Sequence, residues 1–189
     1  MLLTRGLGRK LAVTRGLAPR GTDAAASSPV ALSPVALTIG NFDGVHNGHQ
    51  AMLARLVAPA RARGLPATVL TFEPHPREFF APQSAPTRLT NVREKLELLA
   101  AHGVDRVHVQ RFSAAFAALA PEAFVERMLV GTLAARWVLV GDDFRFGAKR
   151  AGDFAFLADA ARRHGFDLEA MPTVSDGGVR VSSSAVREA

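Results

Sequence analysis

The chain has 189 residues, of which 48% are hydrophobic, which is enough for one domain with a substantial core but short for two. It has no cysteine, which excludes disulfides and thiolate metal sites, and no long apolar run, so we expect no membrane span. The net charge is +6, but residues 1–22 carry five basic residues and no acidic one, which leaves +1 for the rest. We therefore expect no nucleic-acid surface on the body of the protein.

Residues 1–28 form a basic segment rich in Arg, Ala, Gly and Ser. This composition is typical of an organelle transit peptide, and it fits a solvated extension of a bacterial protein equally well. A secretory signal is disfavoured, because no continuous apolar stretch follows the first arginines. We predict a flexible N-terminal extension over residues 1–28 and one domain over residues 29–189, in the cytoplasm.

From Val35 onward, apolar strand patterns alternate with helix patterns. The first strand, Val35–Ile39, precedes a helix over His49–Arg63, and Pro59 should kink this helix or end it early. The other predicted strands and helices follow in order: strand Ala67–Phe72, a helix capped by Thr90 and running to His102, strand Val104–Val109, helix Pro121–Gly131, strand Arg136–Gly141, helix Asp153–Arg163 and strand Phe166–Met171. Strands that are apolar on both faces and separated by helices predict an α/β fold with a doubly wound parallel sheet.

Ligands of such sheets bind outside the carboxyl ends of the strands, which makes three loops candidates for the functional site. These loops are GNFDGVHNGH after the first strand, EPHP after the second and DDFRFG after the fourth. In GNFDGVHNGH a glycine-containing turn leads into a helix start, whose free N–H groups and positive dipole end suit a phosphate. His46 and His49 share one helical face, and Gly48 lets a ligand approach the backbone closely.

Other readings of the two histidines stay open. Neither GxxxxGK[ST] nor GxGxxG after a strand occurs, so the common phosphate-binding fingerprints are absent. The histidines and nearby His75 could bind zinc, although no acidic ligand has the usual spacing and HExxH is absent. They could also merely cap the helix. We interpret the pair as groups that stabilise charge on an attacked phosphate.

The C-terminal segment RVSSSAVREA predicts a second anion site. Ser182, Ser183 and Ser184 precede a short helical pattern, and Arg187 lies about one turn further on. Hydroxyl and N–H groups at a helix start, together with a guanidinium, can clamp a phosphate. Alone, the serines could be an ordinary helix cap; beside the histidine loop, they are expected on the opposite side of the same phosphate.

These motifs together resemble a known family. GNFDGVHNGH resembles the HxGH signature of the nucleotidylyltransferase superfamily, and VSSSAVR is similar to its closing Ser-Ser-Thr motif, with Ser184 in place of the threonine. The segments TFEPHPREFF, RLTNVREKLELLAAHGVDRVHVQRF and VGDDFRFG resemble the adenylyltransferase (FAD synthetase) module of bacterial bifunctional riboflavin kinase/FMN adenylyltransferases. The resemblance covers about Val35 to Ala189 and implies a Rossmann-like nucleotidylyltransferase domain. VTRGLAP also resembles that family's amino terminus, which favours a bacterial extension over a transit peptide.

The resemblance implies transfer of AMP from ATP to FMN, giving FAD and pyrophosphate, with Mg²⁺ held mainly by the ATP phosphates and no side-chain metal ligand. The implied catalytic residues are His46, His49, Ser183 and Arg187. The implied ATP-binding residues are Gly40, Asn41, Phe42, Gly48, Ser182 and Ser184. The implied flavin-binding residues are Phe72, Pro74, His75, Pro76, Phe80, Asp143 and Arg180. From the residues alone, aromatic and proline side chains suit a planar ring, with core packing of Phe79 and Phe80 as the less favoured alternative.

The family's second module, a riboflavin kinase barrel with a Pro-Thr-Ala-Asn type motif, is not recognised in these 189 residues. We expect no riboflavin kinase activity from this chain, so a riboflavin kinase module or enzyme would supply FMN. Two alternatives stay open: a truncated, catalytically impaired remnant that still binds nucleotide or flavin, and an adenylyltransferase for another phosphorylated acceptor.

Overall fold

The structure, a computed structural model, describes residues 2–3, 11–17, 33–172, 175–176 and 179–180. The strands in these ranges are β1 Leu2–Leu3, β2 Leu11–Arg15, β3 Val35–Ile39, β4 Ala67–Glu73, β5 Arg106–Arg111, β6 Ala135–Gly141, β7 Asp167–Met171, β8 Ser175–Asp176 and β9 Val179–Arg180. The α-helices are α1 Asn47–Ala62, α2 Pro76–Phe80, α3 Val92–Ala101, α4 Ala114–Ala117, α5 Pro121–Phe124 and α6 Phe154–His164. A π-helical stretch, Val125–Val130, continues α5, and 3₁₀ turns occupy Pro82–Ser84 and Ala148–Arg150.

Seven strands form one sheet, in the order β1-β2-β5-β4-β3-β6-β7. The six strands β2 to β7 are parallel, and β1 pairs antiparallel with β2 at the edge. From β3 the chain moves outward through β4 and β5, and it then returns to the other side of β3 to add β6 and β7. The predicted α/β fold with a doubly wound parallel sheet is confirmed, and the order reverses between β3 and β6, where such sheets bind ligands.

Helices cover both faces of the sheet. Alternate residues of a strand therefore belong to two separate hydrophobic clusters. In β3, Val35, Leu37 and Ile39 pack with the π-helical stretch and α6, whereas Ala36 packs with α1 and α3. Every residue of β3 is buried. The continuous apolar character of the strand therefore reflects two covered faces, as expected for a parallel sheet.

Two helix boundaries differ from the predictions. Helix α1 begins at Asn47 and continues through Pro59 to Ala62. Proline has no N–H group to donate to the carbonyl four residues earlier, which belongs to Arg55. Because Arg55 is exposed, water can satisfy that carbonyl and the helix continues. The cap of α3 is Asn91 instead of the predicted Thr90. The Asn91 side chain accepts the Glu94 N–H at 3.0 Å, and the Glu94 carboxylate accepts the Asn91 N–H at 2.8 Å, which is a capping box.

Part of the segment predicted as a flexible extension lies in the sheet. Strand β2 pairs in parallel with β5, Leu11 is buried in the core, and the Thr14 hydroxyl lies 2.9 Å from Nδ1 of His108. The expectation of a flexible extension was therefore wrong for residues 11–15. The flanking arginines made the segment resemble a leader, whereas its backbone groups are satisfied by pairing with β5.

Candidate active site

A crevice opens at the carboxyl ends of β3, β4, β5 and β6, at the reversal of the strand order. A pocket in this crevice has a volume of about 910 Å³. Gly40 and Asn41 form its wall after β3, and the loops after β4, β5 and β6 supply the rest. This position agrees with the expectation that the loops GNFDGVHNGH, EPHP and DDFRFG meet at one edge of the sheet.

The histidine loop, residues 40–49, has a strained backbone that buried side chains hold in place. Phe42 and Val45 have positive φ angles of 50° and 41°, a conformation that costs roughly 1–2 kcal/mol in a non-glycine residue. Both side chains are buried in the core, with 0% and 2% exposed. Gly40 lies so close to the Phe42 ring that a Cβ there would meet the ring at 3.0 Å. Packing of Phe42 and Val45 therefore fixes the path of the loop into α1.

Asp43 anchors the histidine loop to the segment that precedes α3. Its carboxylate accepts the N–H groups of Leu89 and Thr90, each at 3.0 Å, and the side chain is 4% exposed. The N–H of Gly44 in turn donates to the Thr90 hydroxyl at 3.0 Å. This use of Thr90 explains why Asn91 takes the role of helix cap. A buried carboxylate with several donors forms a rigid connection between the two segments.

His46 and His49 lie together at the start of α1, as the sequence predicted. Their rings stack with centroids 3.7 Å apart, and the Phe42 ring lies 4.8 Å from that of His49. His46 is the helix cap, because its Nδ1 accepts the His49 N–H at 3.4 Å. Since Nδ1 is an acceptor, the proton of the neutral His46 ring is on Nε2. This ring therefore carries an N–H donor on the side away from the helix cap.

Both imidazoles are neutral at physiological pH. Burial lowers the pKa of His49 to about 3, and the neighbouring His46 and the Lys95 ammonium add to this effect. Burial also lowers the pKa of His46, against the opposing effect of Asp43. The Nδ1 atom of His49 is buried and has no hydrogen-bond partner among the described residues. The pair can therefore offer hydrogen bonds to a ligand instead of a positive charge.

Lys95 is a buried cation near this loop that the sequence reading missed. It lies on α3 and is only 6% exposed, and burial is the main cause that lowers its pKa. The carboxylates of Glu73 and Asp43 oppose that shift. The sequence could have indicated this burial, because Lys95 is four residues before buried Leu99 and so lies on the same face of the helix.

Four of the residues predicted to bind flavin border the pocket, namely Phe72, Pro76, Phe80 and Asp143. Pro74 and His75 do not. His75 instead caps α2, where its Nδ1 accepts the Arg77 N–H at 3.0 Å. The other predicted site residues away from the pocket wall, among the described ones, are His46, Gly48 and His49 at the start of α1, and Phe42, which is buried in the core.

Several predicted residues fall in the C-terminal part of the chain. The backbone of Arg180 belongs to β9, which pairs antiparallel with β8. Ser182, Ser183, Ser184 and Arg187 lie outside the described residues. The second anion site therefore stays a prediction from the sequence.

The pocket is more aromatic than the sequence reading expected. Phe72 contacts Phe112 with centroids 5.9 Å apart, and Phe112 contacts Phe116 at 5.7 Å. Five pocket phenylalanines were not predicted: Phe112, Phe116, Phe124, Phe144 and Phe146. The sequence holds 12 phenylalanines and no tyrosine, and their clustering after β5 and β6 was the available signal. Such a wall suits a planar aromatic ligand.

Arg88 lies in the segment before α3 and pairs with two acidic residues at and after the end of β4. Its guanidinium pairs with Glu73 at the end of β4, at 2.6 Å, and with Glu78 of α2. The hydrogen bond from Arg88 lowers the pKa of Glu78. Because Arg88 immediately precedes Leu89, whose N–H binds Asp43, one short segment contacts both the histidine loop and the loop after β4. The relative position of the two loops is thus fixed by this segment.

Across residues 33–172 and the shorter described pieces, no group of three or more His, Asp or Glu side chains is placed to hold a metal ion. No helix in the described part of the chain combines the length and apolar composition needed to cross a bilayer.

Comparison with known proteins shows the family to which the chain belongs. A family model described as FAD synthetase matches residues 28–185. Curated bifunctional riboflavin kinase/FMN adenylyltransferases of Escherichia coli (strain K12), Pseudomonas fluorescens and Haemophilus influenzae are 53%, 50% and 45% identical to this chain. The alignments cover 81%, 80% and 84% of this chain and 49%, 49% and 51% of those relatives. The chain thus spans about half the length of the curated relatives it matches.

Solved structures share the fold. A structure described as a macrolide-efflux protein from Streptococcus pneumoniae superposes with a TM-score of 0.71 and 25% identity, covering 86% of this chain and 51% of that one. A pantoate-beta-alanine ligase from Francisella tularensis, complexed with beta-gamma ATP and beta-alanine, gives a TM-score of 0.54 at 14% identity, covering 85% and 67%. The second likeness concerns the fold alone.

Proposed function

Because the chain belongs to the FAD synthetase family, we propose that it transfers the AMP group of ATP to FMN and releases FAD and pyrophosphate. One observation carries this proposal: Gly40 and Asn41, the first residues of the histidine loop, border an aromatic pocket of about 910 Å³, and the same loop leads into the helix start with His46 and His49. The first element suits phosphates and the second suits a planar ring system. A flavin mononucleotide combines both groups in one molecule.

The histidine loop supplies donors for the reacting phosphates. An oxygen of the FMN phosphate forms a bond to the α-phosphorus of ATP while the bond from that phosphorus to the bridging oxygen breaks. The electron pair of the broken bond leaves with pyrophosphate, so no protein nucleophile takes part. Nε2–H of His46 and the first-turn N–H groups of Asn47 and Gly48 stabilise the charge that develops on the phosphates. The first-turn groups have no partner within the described residues, which leaves them available to a ligand.

Neutral imidazoles suit this role. A neutral ring donates a hydrogen bond throughout the displacement without first gaining or losing a proton, so the site is organised before the reaction begins. Ser183 and Arg187 are proposed to hold the triphosphate from the opposite side, together with Ser182 and Ser184. The backbone at Gly40 and Asn41 borders the pocket and is proposed to contact ATP.

Magnesium enters this proposal as part of the MgATP substrate. Mg²⁺ generally binds substrate phosphates with few carboxylates and several waters, which fits a region where the described residues offer no cluster of metal ligands. Asp43 is an unsuitable ligand, because its carboxylate already accepts the Leu89 and Thr90 N–H groups. The ion would neutralise charge on the triphosphate.

The acceptor end is proposed to hold the flavin ring among Phe72, Phe80 and Phe112, with Asp143 at its polar edge. Pro74, His75 and Arg180 stay weaker candidates for flavin contact, and His75 has a structural role as the cap of α2. A riboflavin kinase module or enzyme is the proposed source of FMN, since the curated relatives bear both names. We place the reaction in the cytoplasm.

Incubation of the purified chain with MgATP and FMN tests the proposal, with FAD measured by chromatography and pyrophosphate by a coupled assay. We expect both products in equal amounts. His164→Ala is a matched control, because His164 ends α6 just before β7 begins, at the amino ends of the parallel strands and away from their carboxyl ends. A folded chain that binds ATP and FMN but forms no FAD would support the impaired remnant. FAD formation should also exceed adenylylation of phosphopantetheine or nicotinate mononucleotide; the reverse preference would support another acceptor.

A further inference from the structure

The loop after β6 holds two neighbouring cations in an unfavourable backbone conformation. We define the basic loop as residues 145–150. Lys149 has φ 53° and ψ 21°, and Arg150 has φ 58°. Left-handed backbone costs roughly 1–2 kcal/mol for each non-glycine residue, and asparagine or glycine would avoid much of it. Reversing the chain direction does not by itself require long cationic side chains at two consecutive residues in this conformation.

The surrounding structure forces this conformation. Phe146 and Gly152 exchange two backbone hydrogen bonds, of 3.0 and 2.9 Å, which close the base of the loop. Gly147 packs against Pro121 so tightly that a Cβ would approach it to 2.9 Å. The N–H of Ala148 donates to the Leu119 carbonyl at 2.7 Å. The loop therefore presents Lys149 and Arg150 at a fixed place.

That place is the wall of the aromatic pocket. Arg77, Arg145, Lys149 and Arg150 all border the pocket, and Asp143 is the sole acid among the described residues that border it. Arg145 pairs with Asp153 at 3.3 Å. Lys149 and Arg150 form no ion pair within the described parts of the chain. An apolar pocket thus carries an excess of positive charge on one side.

We propose that Lys149 and Arg150 bind the phosphate of the acceptor and so make the pocket select a phosphorylated flavin over the unphosphorylated one. This inference rests on the proposed function and names a specificity determinant for it. Aromatic walls bind the ring of riboflavin and of FMN equally well, so selection needs a group that attracts the phosphate dianion. Adjacent ammonium and guanidinium groups provide strong charge-assisted hydrogen bonds to such an anion. Gly40 and Asn41 border the same pocket, so one pocket contains both these cations and the first residues of the histidine loop.

Equilibrium binding of FMN and of riboflavin, without ATP, tests this role through the ratio of the two affinities. The double variant Lys149→Met/Arg150→Met keeps apolar length and unbranched side chains but removes both charges. We expect its FMN affinity to fall at least about tenfold and its riboflavin affinity to stay within about twofold of the parent chain. Arg163→Met removes an exposed cation of α6 and should leave both affinities unchanged. Lys149→Arg/Arg150→Lys should retain a preference for FMN.

Three results would overturn the inference. The first is equal affinity of the parent chain for FMN and riboflavin. The second is a loss of affinity for both ligands in the double variant, which would indicate contact with the ring. The third is a double variant whose affinity for FMN and for riboflavin is unchanged. Thermal unfolding of the double variant shows whether the loop has kept its structure, and the single variants repeat the test if it has not. These outcomes can be told apart from those for catalysis. A parent chain that prefers FMN but makes no FAD would contradict the proposed function alone. A parent chain that makes FAD, with the same ratio of FMN to riboflavin affinity in the double variant, would contradict this inference alone.

Discussion

The histidine loop positions its groups through buried residues, whereas the aromatic pocket combines buried rings, such as Phe124, with the exposed ring of Phe80. Phe42 and Asp43 are 0% and 4% exposed, and Phe80 is 67% exposed. Asp43 also links two segments that are 46 residues apart in sequence. The phosphate end is therefore built into the core of the protein, and the acceptor end has a part, at Phe80, that lies outside it. We expect substitutions at the first end to change stability and rate together, and substitution of the exposed ring at the second to change acceptor binding alone.

The largest effect is expected at His46, where two roles can be separated. His46→Ala removes both the helix cap and the donor, so the kcat for FAD formation should fall about 100-fold or more and the free energy of unfolding by about 1 kcal/mol. His46→Asn keeps a capping side chain, so it should retain stability but not rate. Steady-state kinetics and urea unfolding measure the two quantities. Full activity in His46→Asn would show that the ring acts only as a cap.

Asp43→Ala tests whether the histidine loop depends on its buried anchor. The change leaves the N–H groups of Leu89 and Thr90 without their acceptor, so we expect the free energy of unfolding to fall by about 3 kcal/mol. Asp159→Ala removes an exposed carboxylate that pairs with Arg162, and it should cost less than about 0.5 kcal/mol. Urea unfolding compares the variants. Equal, small losses for both would mean that Asp43 does not hold the loop.

The pH dependence of stability tests the buried state of His49. An unfolded histidine takes up a proton near its ordinary pKa of 6.5, whereas the folded ring does so only near its pKa of about 3. Stability should therefore be complete above pH 6.5 and fall as the pH drops toward 3, by at most about 1.4 kcal/mol per pH unit from this group. His49→Gln should flatten this slope. Urea unfolding at a series of pH values measures it; an identical slope in parent and variant would contradict a neutral buried ring.

The smallest change in stability is expected at Phe80, on the acceptor side. Because its ring is largely exposed, Phe80→Ala should alter the free energy of unfolding by less than about 0.5 kcal/mol. The KM for FMN should rise by about three- to tenfold through lost ring contact, while the KM for ATP stays unchanged. Kinetics with each substrate varied in turn separates these effects. A matching rise in the KM for ATP would show that Phe80 does not belong specifically to the acceptor side.

The parts predicted correctly from the sequence depend on local patterns. Strand β3 has the predicted bounds, because two covered faces give a continuous apolar run. The meeting of His46 and His49 follows from a spacing of three residues at a helix start, with His46 as the cap. The parts that were missed depend on long-range partners: the role of Asp43 requires Leu89 and Thr90, and the burial of Lys95 requires the packing of α3 on the sheet. Strand β2 was missed for the same reason, since its partner β5 lies far along the chain.

Transfer of label from ATP tests the central claim most directly. The folded chain is incubated with FMN, Mg²⁺ and ATP that carries a labelled α-phosphate, and the flavin products are separated. We predict that the label appears in FAD in equal amount to the pyrophosphate released, and that label in the γ-phosphate appears only in pyrophosphate. A folded chain that binds both substrates but leaves the α-label in ATP would contradict adenylyl transfer in this crevice.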